Sequence, residues 1–154
     1  MPRLQRDKSH KRLPHQIIHQ DAHGANLLRD SANSEHVAGV IDFGDMVNGP
    51  LIADLAVSAA YFAEGAGAPA EVAAALCRGF HRVTPLAAHE TDLLLDLMIA
   101  RQILTLQLNE FRQRNMECPP EFISVDMPRV LASLKSLAAL DDREFGKRLR
   151  MACA

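Results

Sequence analysis

Two short stretches concentrate the groups that can do chemistry: IIHQDAHGANLL, from Ile17 to Leu28, and VAGVIDFGD, from Val37 to Asp45. The first carries His19, Asp21, His23 and Asn26, and the second ends with Asp42, Gly44 and Asp45. His19, Asp21 and Asn26 follow the spacing H-x-D-x-x-x-x-N, and Asp42 opens the tripeptide D-F-G. A β-hairpin between them would return Asp42 to the side of Asp21 and Asn26. Two carboxylates and an amide would then converge, a donor set suited to hard, oxygen-loving Mg²⁺. A metal there can bridge and neutralise a phosphoryl group in transfer, while the remaining carboxylate accepts a hydroxyl proton. On this reading Asn26 and Asp42 hold the metal and its nucleotide, and Asp21 is the catalytic base. Gly44 lets the backbone turn sharply beside the metal. His19 belongs to the catalytic loop and braces it through hydrogen bonds.

Each element has a plainer reading. D-F-G and H-x-D both recur by chance, so their order around a strand–turn–strand carries the information. HQDAH also places His19 and His23 at i, i+4, which opens a metal-dependent hydrolase using His19, His23 and Asp21. That alternative wants a helix or a third ligand, and Gly24 with its flanking strands argues against the helix. Another alternative is a non-catalytic helical module that keeps the motif and binds a partner. Asp45 is either a second metal-side carboxylate or a solvated loop residue. Asp54, an acid among Ala53, Leu55 and Ala56, reads as a group that hydrogen-bonds a neighbouring loop.

The elements that must position these residues can be read from the pattern. HQIIH (ending at His19), Asn26–Arg29 and Val37–Ile41 are strand candidates, with turn chemistry in SANSEH between the last two. After Pro50 everything reads as helix. Pro50 suits a first helical position, and Leu51, Leu55, Ala59 and Phe62 recur at helical spacing until Gly65 stops the run. Pro69 opens a second helix over about 70–81. Thr84 and Pro85 suit the start of a third, over about 89–114, with Leu93, Leu97, Ala100, Leu104 and Phe111 on one face. Leu94, Met98, Ile99 and Ile103 widen that face, which predicts the central buried helix. CPPEF breaks the chain, and helices over about 126–140 and 143–153 follow.

Bulk numbers narrow the class. The 154 residues suffice for one domain with a core, and 48% hydrophobic with 23% charged residues is an ordinary globular composition. A net charge of −2 implies no broad basic surface for nucleic acid. Three cysteines, Cys77, Cys118 and Cys153, are far apart in sequence and form no CxxC pair. That argues against a zinc site or disulfide framework and suits a reducing cytosol. No apolar run reaches the roughly 18 residues of a membrane span. The expectation is a soluble, cytoplasmic protein with no membrane partner. Residues 1–12 carry five basic side chains and read as a poorly ordered tail.

LPHQIIHQDAHGANLL, GVIDFGDMVNGP and DLAVSAAY resemble the C-terminal lobe of the aminoglycoside phosphotransferase and choline kinase family. The resemblance covers roughly Leu13 to Tyr61 and, more loosely, the later helices. IDFGD and the closing LAALDDREFGKRLRMAC are most similar to the branch containing hydroxylysine kinase. It implies an α+β, mostly helical, protein-kinase-like C-lobe over 13–154, with a small β-hairpin carrying the catalytic and metal loops. It also implies a kinase that uses Mg²⁺ with ATP or GTP to phosphorylate a hydroxyl of a small, amine-bearing substrate. Asp21 becomes the catalytic base, Asn26 and Asp42 the Mg²⁺ ligands, and Asp54 a brace for the catalytic loop. His23 stands beside the substrate hydroxyl and phosphate. Glu64, Glu90, Asp92 and Asp96 are candidates for the amine.

The chain departs from the family pattern in three places. Gln20 stands where members commonly have glycine, and Asn48-Gly49-Pro50 replaces Gly-Asp-Pro. The glycine-rich strand–turn–strand, the phosphate-binding lysine and the glutamate helix of an N-terminal lobe are missing, and EGAGAP is a linker rather than a phosphate loop. An isolated chain without that lobe is expected to be slow or inactive and to expose apolar surface. Self-association or a separate N-lobe chain is then the expected partner.

Overall fold

Between Leu13 and Pro50 the chain forms two antiparallel ladders, one nested inside the other, in the computed structural model, which describes residues 13–33, 35–115 and 126–154. The basic tail expected over 1–12 and the CPPEF break lie outside the described residues. The outer ladder pairs β1 (His15–Ile18) with β4 (Val47–Pro50), His15 opposite Pro50 and Ile18 opposite Val47. The inner one pairs β2 (Leu27–Arg29) with β3 (Val37–Val40), Leu27 opposite Val40, with an irregularity after Leu28. β4 has no counterpart in the sequence expectation, because VNGP reads as turn chemistry. It is an edge strand, where proline is tolerated. Pro50 therefore ends a strand, and the first helix begins one residue later. Gly49 leaves room for its neighbour: a Cβ there would lie 3.0 Å from Ile18 Cδ1, so Ile18, the buried side chain of β1, would have to shift.

Six α-helices follow among the described residues: α1 (Leu51–Ala63), α2 (Pro69–Val83), α3 (Ala88–Thr91), α4 (Leu94–Asn115), α5 (Met127–Ala138) and α6 (Asp142–Ala152). Gly65, at φ 73°, adopts the left-handed conformation that ends α1. Asp126 and Asp141 cap α5 and α6 by accepting from Arg129 N (3.1 Å) and Glu144 N (2.9 Å). The fold is mostly helical with small antiparallel sheets.

The central helix is α1, not the one beginning near residue 89. α1 packs against α2 and α4, α4 against α5, and α2 against α6. Ile52, Ala59 and Ala60 are completely buried, and the alanines let neighbouring helices approach closely. The third helix also differs from expectation. Thr84 closes α2, donating its N–H to Phe80 O, instead of opening the next helix. A break at Asp92–Leu93 separates α3 from α4. Leu104 and Phe111, placed on the buried face by periodicity, are 42% and 59% exposed. The inward face runs through Leu94, Leu95, Met98, Gln102 and Asn109. Apolar residues surround the first half of α4, so spacing alone could not orient it. A polar residue does: buried Gln102 donates through Nε2 to Ala60 O (3.0 Å) and Glu64 Oε1 (3.1 Å), joining α4 to α1.

Cys77 and Cys153, 76 positions apart, meet with sulfurs 3.2 Å apart as free thiols on α2 and just beyond α6. Burial, reinforced by Cys153, pushes the Cys77 thiol up to about 12. Among the described residues no helix is long and apolar enough to cross a membrane.

Candidate active site

The loop after β1 is built around an uncomfortable residue. Gln20 has φ 64°, the left-handed region that side chains disfavour. Asp54, in the first turn of α1, holds it there: Gln20 N donates to Asp54 Oδ1 at 2.8 Å and His19 N to Asp54 Oδ2 at 3.4 Å. The carboxylate also sits where the helix dipole favours negative charge. Two more residues on the same face of α1 grip the loop. Ser58 Oγ donates to Ala22 O at 2.7 Å, and the Tyr61 ring lies against His23 with centroids 4.8 Å apart. Positions 54, 58 and 61 are separated by one helical turn each, so one face delivers all three contacts.

His19 joins this loop to the next. Its Nδ1 accepts from Asp21 N at 3.3 Å, which leaves the ring proton on Nε2, where Ile41 O accepts it at 3.0 Å. The ring also packs against Phe43, centroids 5.1 Å apart. The β2–β3 hairpin makes a second joint, Ile41 N donating to Asn26 O at 3.0 Å. Asp42 follows directly. Its backbone is left-handed (φ 63°), and its Oδ1 accepts from Gly44 N at 3.4 Å. The left-handed residue of this turn is thus Asp42 rather than Gly44; a Cβ on Gly44 would stand 3.4 Å from Asp42 Oδ1. Asp42 and Asp45 are both exposed.

Asp21 is gripped on both oxygens. Asn26 Nδ2 donates to Asp21 Oδ2 at 3.1 Å and to its backbone oxygen at 2.9 Å, and His23 Nε2 stands 3.4 Å from Oδ2. Asn26 is buried, and with its nitrogen committed to Asp21 its side-chain oxygen is the atom available to a cation. Asp21 Oδ1 accepts from Arg101 Nη2 at 2.8 Å, and the same nitrogen donates to Tyr61 OH at 3.0 Å. Asn26 and Asp42 thus present oxygen donors from adjacent loops, the hard donor type that Mg²⁺ takes. The His19–His23–Asp21 metal set of the hydrolase alternative is not formed: no three His, Cys, Asp or Glu side chains among the described residues are grouped to hold a metal ion. The Nδ1 atoms of both histidines instead accept from backbone N–H groups of their own loop, His23 from Ala25.

Sequence reasoning gave Arg101 no role at the site. Its partner lies 80 positions away, so no local spacing signals the pair. Tyr61 was likewise passed over. Both line a cleft of about 440 Å³ that also contains Asp21, His23 and Glu64. Of the amine candidates, only Glu64 lines this cleft. Glu90 is buried, accepting from Ala87 N at 2.8 Å, and Asp92 pairs with Arg150 at 2.6 Å.

Comparison with known proteins adds independent findings. Residues 2–90 match the family model of the phosphotransferase enzyme family, APH, a span that includes both loops and all of α1. A hydroxylysine kinase of Danio rerio is 28% identical over 134 residues, covering 86% of this chain and 38% of that protein. A hydroxylysine kinase of Mus musculus is 34% identical over 91 residues, covering 55% of this chain and 24% of that protein. The chain therefore spans well under half the length of these curated relatives. No solved structure matches it.

Proposed function

Because the chain belongs to the phosphotransferase enzyme family, we propose that it forms the protein-kinase-like C-lobe of a small-molecule kinase. The reaction is transfer of the γ-phosphate of ATP or GTP to a hydroxyl of a small, amine-bearing acceptor. One observation carries this reading: Asp21, held by Asn26 and Arg101, opens on a cleft beside the loop that presents Asp42. In this reading Asp21 orients the acceptor hydroxyl and takes its proton, while Asn26 and Arg101 fix the carboxylate. Asn26 and Asp42 would hold Mg²⁺, which when bound neutralises charge on the transferred phosphoryl group. Asp54 and His19 act at one remove, keeping the two loops in register. Glu64, with Asp45 and Asp126 in the same lining, is an acid available to an amine in the cleft. The hydroxylysine kinases among the relatives support an acceptor of this kind.

The test is the thermal midpoint with and without Mg²⁺-ATP and Mg²⁺-GTP, for the native chain and Asp42→Asn. A ligand at 100 times its dissociation constant adds about 2.7 kcal/mol, a readable shift. The expected result is a Mg²⁺-dependent rise that disappears in Asp42→Asn. No rise, or one of equal size in the variant, would sink the nucleotide site.

A second reading, a non-catalytic interaction module, draws on the exposed apolar side chains of the ladders and the Asp42 loop, including Ile17 at 60% and Phe43 at 56% exposure. Here that face takes another copy of the chain or a separate lobe. Sedimentation across a concentration series tests self-association, and a monomer throughout would count against it.

A further inference from the structure

Two thiols that the candidate site does not use face one another where the last helix meets the core. Cys77, on α2, is completely buried, and Cys153, the residue that ends α6, is half-buried. Both are free, and their sulfurs are 3.2 Å apart, with Cys153 Sγ also 4.0 Å from Cys77 O. An approach of about 1 Å brings two such sulfurs to bonding distance. α6 packs on α2 through buried Phe145 and Leu149. At the surface Arg148 pairs with Glu71 of α2, and Arg150 with Asp92 at 2.6 Å. Cys153 lies past both ion pairs, at the end of the helix, where fraying begins.

We propose that Cys77 and Cys153 are a redox pair, which a small disulfide such as oxidised glutathione converts into a covalent bond between α2 and the end of α6. Half-buried Cys153 is the sulfur that the oxidant reaches first. Its thiolate attacks one sulfur of the small disulfide, forms a mixed disulfide and expels one glutathione thiolate, which takes up the proton Cys153 lost. Cys77 then attacks the Cys153 sulfur and expels the second glutathione, to which its own proton passes. Two protein thiols are oxidised and one small disulfide is reduced, with no other reactant. Burial, reinforced by Cys153, holds Cys77 protonated at neutral pH, so it is a poor first nucleophile. Contact with Cys153 makes its step intramolecular, which favours it. Reduction returns by attack of an external dithiol on the Cys153 sulfur. The bond encloses α3, α4 and α5, so it restricts the unfolded chain as well as pinning the end of α6. Nothing in this inference depends on the kinase reading.

The experiment treats the native chain and Cys118→Ala with oxidised glutathione, counts free thiols by alkylation in denaturant, and locates the bond by non-reducing peptide mapping. Cys118 lies outside the described residues, and its removal makes the assignment unambiguous. The native chain should fall from three free thiols to one, with Cys77 and Cys153 in one linked peptide, and Cys118→Ala should retain none. The melting temperature should rise by about 5–15 °C in both proteins and return on treatment with dithiothreitol. Hydrogen exchange at the last amides of α6 should slow in parallel. Cys153→Ser, altered at a half-buried position, should fold and show neither the link nor the rise. Cys77→Ala, made in the Cys118→Ala background, should stop after the first step and keep a glutathione on Cys153. Thiols that all stay free, a glutathione that remains on Cys153 while Cys77 is present, or a bond made to Cys118 instead would overturn the proposal. So would a linked protein that melts no higher than the reduced one.

Discussion

Gln20 concentrates the energetics of the candidate site in one residue. A left-handed non-glycine residue costs about 1–2 kcal/mol, and the turn survives because Asp54 accepts from the backbone N–H groups of His19 and Gln20. Asp54→Ala is expected to destabilise the protein by about 2 kcal/mol, the range for hydrogen bonds to a charged acceptor. Gln20→Gly should stabilise it by about 1 kcal/mol, and should recover part of the loss when combined with Asp54→Ala. The two effects should be non-additive, because both act on one turn. Urea midpoints at constant slope measure all three variants. An Asp54→Ala protein that unfolds at the native midpoint would show that the turn needs no holding. The motif spacing pointed directly to Asp21 and Asn26, whose side chains meet at 3.1 Å. It could not reach Arg101, because a contact spanning 80 positions leaves no periodic trace.

Among the elements, helices were legible and their orientations were not. Proline and glycine punctuation bounded α1 and α2 to within a few residues, since both act through local backbone geometry. β4 escaped because its VNGP sequence is what a turn would use, and only its ladder to β1 makes it a strand. The inward face of α4 escaped because Gln102 and Asn109 are buried where apolar residues were expected. The α2–α6 contact has its own test. Cys77 has its thiol pushed up from 9.0 to about 12, so above pH 9 the folded chain keeps a proton that the unfolded chain releases. The native state then binds more protons, and stability falls as pH rises from about 9 toward 12; below that window the contribution is fully present. The melting temperature should therefore drop between about pH 9 and about pH 10.5, and drop less in Cys77→Ala. Identical slopes in the two proteins would place the pH dependence elsewhere.

At the scale of the whole molecule, the site is assembled from distant parts of the chain around one helix. The loop after β1 rests on α1, Arg101 arrives from α4, and the metal-loop candidate returns through a hairpin nested in the outer ladder. The Arg101–Asp21 link makes the cleft and the candidate base parts of one unit. The three grips of α1 on that loop, Asp54, Ser58 and Tyr61, share a single angular phase. Such a helix tolerates changes of letter far better than changes of length. One alanine inserted between Leu55 and Ala56 would turn Ser58 and Tyr61 by roughly 100° relative to Asp54. The amides of Gln20 and Asp21 should then lose hydrogen-exchange protection while those of α6 keep theirs; protection retained in the loop would contradict the shared phase. Drift in this protein should therefore proceed by substitution, with residue count between Asp54 and Tyr61 the quantity that selection guards.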